Sequence, residues 1–133
     1  MATHATARFE INAWDENPYN EMEGAPKLNR ASVTQSYSGD IEGEGRVEYL
    51  MVYGEGGSAS FVGTERVVGH LGDRVGSFVF QGSGTFESGA ARCSWRVVPG
   101  SGTGDLRGLR GQGGYVALHG ESAVEITLDY SFE

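Results

Sequence analysis

The sequence of 133 residues holds one cysteine, Cys93, three prolines and ten basic residues, and nowhere do its apolar residues run far enough to cross a bilayer. A lone cysteine excludes an internal disulfide and gives secretion no support. Ten Lys and Arg against eighteen Asp and Glu leave a formal charge of −8 and a pI near 4.8. That balance sets the protein against polyanions, because a phosphate backbone is gripped by clustered cations that displace its counterions. Nucleic acid is therefore not an expected partner. Arg107 and Arg110 come nearest to a cluster, but Asp105 stands beside them, as in a solvated turn. Residues 1–7 carry no basic region leading into an apolar one. No membrane association is expected, and the cytoplasm is the expected compartment. Long amphipathic helical periodicity is also missing.

What the chain has is glycine, 22 in all, separating short runs in which apolar and polar residues alternate. Alternation with period two is the mark of antiparallel strands with one wet and one dry face. It predicts strands over residues 4–14, 28–38, 45–53, 59–70, 76–86, 90–98, 114–118 and 123–132. About eight strands are enough to close a barrel around side chains or one small ligand. Closure also removes the exposed edges an open sheet would leave. The length fits one domain, residues 1–133. Compact glycine-bearing links such as Gly54-Glu55-Gly56-Gly57 and Leu71-Gly72-Asp73 suit hairpins, so up-and-down order is the simplest topology. Residues 15–27, with Pro18, Gly24, Pro26 and several acids, are expected as a loop with at most one helical turn. Residues 98–111 break the rhythm, and a short helical turn fits Asp105 to Leu109.

Several motifs can be set aside. Gly100-Ser101-Gly102-Thr103-Gly104 resembles an anion-binding nest, but it lacks the P-loop lysine and the dinucleotide spacing, and is expected as a tight crossing. His4, His70 and His119 do not follow the spacing of a metal site. Cys93 has no histidine or second cysteine near it in sequence and is expected as a buried structural thiol. No nucleophile elbow occurs. Neither a metal nor a cofactor is expected.

Two carboxylates placed mid-strand carry the functional expectation. Regular alternation puts Glu10, Asn12 and Trp14 on one face of the first strand, and Glu65 on the face of Phe61 and Val67. A carboxylate turned into a dry interior must find partners or shift its pKa, which would mark it as functional. Alternation alone leaves open whether either acid faces inward. Tyr49, Tyr53, Phe78, Phe80, Trp95, Tyr115 and Tyr130 alternate as well. Rings with one or two acids are how small-ligand pockets are built, so Trp14, Tyr49, Tyr53, Glu65, Phe78, Phe80 and Trp95 are the candidate ligand-binding residues.

The opening Ala2 to Glu10, with Arg30-Ala31-Ser32-Val33, Gly43-Glu44-Gly45, Val47-Glu48-Tyr49-Leu50, Gly76-Ser77-Phe78-Val79 and Val97 to Gly104, resembles a bacterial domain-of-unknown-function family across nearly the whole chain. The resemblance implies the antiparallel barrel of allene oxide cyclase. A shorter similarity, Phe9-Glu10-Ile11-Asn12 with Asp15 and Pro18 following, is to the first strand of the plant cyclase itself. It implies that Glu10 stabilises charge and Asn12 helps hold a water at a catalytic site. Trp14, Glu16 and Asn17 depart from the cyclase pattern. Three functions stay open: a barrel binding a small hydrophobic molecule, a cofactor-free cyclase or isomerase using the same polar groups, and a structural or protein-interaction barrel with a filled core. Apolar residues on both faces of several strands point to a homo-oligomer.

Overall fold

The computed structural model describes residues 2–133, which form eight strands: β1 (Thr3–Asn20), β2 (Lys27–Gly39), β3 (Ile41–Tyr53), β4 (Ala59–Leu71), β5 (Arg74–Glu87), β6 (Ala90–Val97), β7 (Leu109–Leu118) and β8 (Ala123–Phe132). Each pairs antiparallel with the next. β1 also pairs with β8, from Thr3↔Tyr130 to Glu10↔Ala123, so the sheet closes into an up-and-down barrel. Two 3₁₀ turns, Glu55–Gly57 and Gly104–Leu106, are the helical structure among the described residues. No helix among them is long and apolar enough to cross a membrane.

One end of the barrel is packed solid. The crossing between β6 and β7 runs beneath it, and its 3₁₀ turn buries Leu106 completely beside Ile41, Leu71, Phe78 and Leu109. Burying a leucine contributes about 1.5–3 kcal/mol. The crossing is tied to β5 by the Thr103 N–H donating to the Ser77 carbonyl at 2.9 Å and by a 2.6 Å contact between the two hydroxyls. The Arg74 guanidinium lies 4.0 Å from the centre of the Phe132 ring, its alkyl stem and charge covering the same end. Above this floor Phe78 meets Phe80 edge-on at 5.0 Å, and Phe80 stacks flat on Trp95 at 4.0 Å.

Residues 15–20, expected as loop, instead continue β1. Past Glu10 this strand has no β8 partner and pairs with β2 alone, so it runs on as a free edge where Pro18 removes no needed donor. Residues 41–44 and 109–113 likewise extend β3 and β7 beyond their expected starts.

The register of β1 against β2 slips at Asn12: Ile11 faces Gln35 and Ala13 faces Thr34, leaving Asn12 as an extra residue. Such a bulge reverses which residues point inward. Ala5, Ala7 and Phe9 point in before it, and Trp14 and Glu16, opposite the buried Val33 and Ala31, point in after it.

Candidate functional site

The other end of the barrel is open. There the inward side chains enclose a cavity of about 560 Å³, within the range of small-molecule sites. Phe9, Met51, Phe61, Phe86 and Val124 supply apolar wall, Trp14, Tyr49 and Tyr53 line one side, and Tyr115 and Ala117 the other. Trp14 stacks on Tyr49 with centroids 6.0 Å apart, and Phe61 meets Tyr49 edge-on at 5.4 Å. The rim stays accessible, since Trp14 is 46% exposed.

Glu16 is the one carboxylate in this wall. It accepts hydrogen bonds from the Trp14 indole N–H at 2.9 Å, from Asn29 Nδ2 at 2.6 Å and from the Tyr53 hydroxyl. Burial opposes its charge, but these donors and the nearby Lys27 outweigh it and hold its carboxyl below the usual range. It is therefore ionised at neutral pH. Desolvation and the same carboxylate push the Tyr53 hydroxyl up to about 12, keeping it a donor.

A second acid lies deeper. Glu65, 3% exposed, accepts from Gln35 Nε2 at 2.7 Å and from the Tyr37 hydroxyl, which stands 2.9 Å from both carboxylate oxygens. Burial pushes it up to about 7 against those hydrogen bonds. It borders a small void of about 10 Å³, on the scale of a single water molecule, together with Tyr49, Cys93, Trp95 and Tyr115. The Tyr49 and Tyr115 hydroxyls, 3.1 Å apart, belong to both this void and the open cavity and so form the floor between them. Two glycines make the arrangement possible. A Cβ on Gly45 would stand 2.1 Å from Glu65 Oε2, and one on Gly63 would stand 2.7 Å from the Tyr49 ring. β3 and β4 thus each leave a gap that the other strand's polar side chain fills.

The structure divides the sequence-predicted residues. Trp14, Tyr49 and Tyr53 come together in the cavity wall, with Glu65 beneath its floor. Phe78, Phe80 and Trp95 are buried in the packed half and do not line the open cavity. Glu10 and Asn12 lie outside it: both are exposed, and Asn12 donates to Ser36 Oγ at 2.8 Å. The expectation that they share a face with Trp14 is corrected by the bulge, which turns Trp14 inward and leaves Glu10 on the outer surface. Glu10→Ala is accordingly expected to change unfolding free energy by no more than about 0.5 kcal/mol in urea melts. Glu16 was missed because it falls in the segment expected as loop. Asn29, Gln35 and Tyr37 alternate inward along β2 and were legible only as a strand face. Cys93 is half-buried, and burial pushes its thiol up to about 11, consistent with an unreactive group.

The sequence profile of the family described as "Protein of unknown function (DUF3224)" matches residues 5–130. A crystal structure of a protein of unknown function from the DUF3224 family of Shewanella oneidensis MR-1 superimposes with a TM-score of 0.81 at 30% identity, covering 100% of this chain and 99% of that one. No curated protein matches. With the profile spanning almost all of the barrel, and a full-length relative of the same architecture, the chain belongs to the DUF3224 family.

Proposed function

We propose that the protein binds a small, mainly apolar molecule in the open half of the barrel. The observation that carries this reading is the contrast between the two ends. One is filled by its own side chains, while the other keeps about 560 Å³ walled by aromatic and aliphatic groups around a single ionised carboxylate. A protein that needed the barrel only for stability would gain by filling that space, because unfilled apolar volume forfeits packing. Glu16 and Tyr53 place polar groups at the rim, where the outer end of a ligand would be oriented.

Native mass spectrometry of the protein isolated from its own cell tests this directly, since a retained ligand adds its mass to the chain. The same spectrum reads the subunit number. More than one subunit is favoured by Leu50 and Val62, register partners on the outer wall that are 46% and 52% exposed. A complementary titration uses phenylnaphthylamine, an uncharged probe whose fluorescence rises in apolar sites. Ala117→Trp puts an indole into the cavity from β7. It is expected to weaken the probe's binding at least about tenfold, an effect of about 1.4 kcal/mol, while leaving the circular dichroism unchanged. Equal binding by this variant would refute the assignment of the cavity.

A further inference from the structure

We propose that the molecule held in the open half of the barrel carries a protonated amine, which the Glu16 carboxylate receives at the rim while the aromatic wall takes its apolar body. This rests on the cavity being a ligand site.

Glu16 is a charge without a counter-charge. The ion pairs among the described residues join His4 to Asp129, Arg30 to Glu48 and Arg110 to Glu133, and none involves Glu16. Lys27 acts on it through space, but its ammonium lies 5.4 Å from the centre of the Tyr53 ring and Lys27 is not part of the cavity wall. The groups that touch the carboxylate are neutral: the Trp14 indole and the Tyr53 hydroxyl from the cavity wall, and the Asn29 amide from β2. Neutral donors keep a carboxylate ionised without cancelling its charge. The charge is therefore left for whatever enters the cavity.

Asn29 shows what this arrangement costs. The residue is 4% exposed, and in turning its Nδ2 to Glu16 it leaves its own Oδ1 with no partner among the described residues. A buried acceptor left unpaired is destabilising. A strand built for stability alone would carry an apolar residue at this inward position, as β2 does at Ala31 and Val33. The asparagine serves the charge of Glu16.

The geometry also leaves that charge a vacant acceptor. A carboxylate oxygen can take two hydrogen bonds. Oε2 takes those of Asn29 and Tyr53, whereas Oε1 takes only that of Trp14. An ammonium N–H donating to Oε1 completes the set, and its alkyl substituents lie toward Trp14, Tyr49 and Tyr53, whose ring faces attract organic cations. An anionic ligand is repelled by the same carboxylate. His119, the one basic side chain in the wall, is exposed. Because Glu16 is itself half-buried, solvent screens part of its attraction, so the carboxylate supplies a preference among ligands and the apolar wall the bulk of the affinity.

The test measures displacement of phenylnaphthylamine, at neutral pH and low salt, by three compounds that share one naphthalene: naphthylethylamine, a cation, naphthylethanol, uncharged, and naphthaleneacetate, an anion. In the wild-type protein the amine is expected to displace the probe at a concentration at least about tenfold below that of the alcohol, the strength of one hydrogen bond to a charged group, with the acetate weakest. Glu16→Gln should bring amine and alcohol within about twofold of each other while the probe still binds. The exposed Glu10→Gln control changes the net charge by the same amount and should keep the wild-type ratio. Should Glu16→Gln prove unfolded, Lys27→Gln decides: without the neighbouring cation the amine's lead should widen at least about twofold, and an unchanged ratio would overturn the role given to Glu16. An amine no better than the alcohol, in wild-type protein that binds the probe, would overturn the amine and leave the cavity as a ligand site. A lead that survives Glu16→Gln, or that Glu10→Gln removes equally, would overturn it too. Failure of the probe and of all three compounds to bind would bring down both readings.

Discussion

Trp95→Ala is expected to lower the unfolding free energy by about 3–5 kcal/mol, the range for truncating a buried large aromatic. The indole is 7% exposed and stacks on Phe80 with planes 3° apart. Its other face of contact is the Tyr115 ring, met edge-on at 5.3 Å, and its N–H reaches the Thr127 carbonyl at 3.4 Å. Gly82 lets β5 lie close against β6 at this point, since a Cβ there would stand 2.9 Å from Trp95 Cβ. Glycine on the adjoining strand cannot move in to refill the hole, so collapse is limited and the cavity contribution stays large. Domains of this kind have 5–15 kcal/mol in total, so the loss is a large share of it. Urea denaturation of both proteins measures the difference, and a change below about 1 kcal/mol would show that the stacked pair does not anchor the core.

The second large effect is a pH dependence carried by Glu65. Its folded pKa of about 7 lies above the ordinary value of 4.5. Below 4.5 the carboxyl is protonated in folded and unfolded chains alike, and its contribution is fully present. Between 4.5 and 7 the unfolded chain releases the proton first, so the folded state loses ground as pH rises. Above 7 the loss is complete, on the order of 3 kcal/mol. Glu65→Gln removes this ionisation while keeping an oxygen for Gln35 Nε2. The variant should therefore be more stable than the wild type at pH 8 and close to it at pH 4.5. Denaturation curves for both proteins across that range provide the check. Parallel curves would mean that the carboxyl titrates as an exposed one does.

How much of this was legible beforehand differs from strand to strand. β2, β4, β5 and β6 lie almost where period-two alternation puts them, because each has two paired neighbours and one dry face, and a slip would expose that face. β1 was half legible. Its first residues alternate, with Ala5, Ala7 and Phe9 inward, a choice of face that alternation alone leaves open. Beyond Asn12 the pattern inverts, and a string of Asp15, Glu16, Asn17 and Pro18 carries the composition of a loop although it runs as an edge strand. That inversion puts Glu16, and not Glu10, on the lumen side of the strand. Glu65 was singled out for its mid-strand position, but Gln35 and Tyr37, which hold it, sit 30 and 28 residues away. Only closure of the barrel brings Tyr115 from β7 across to Tyr49 on β3.

The sequence by itself determined the class of fold. Alternation, glycine-bearing turns and the scarcity of helical periodicity are local properties, and local properties settle whether a chain makes strands and how many. Which acid faces the lumen, and which aromatics wall a cavity rather than fill a core, was decided by the tertiary structure. Inward and outward are defined only once the last strand meets the first, and one extra residue in a ladder exchanges the two.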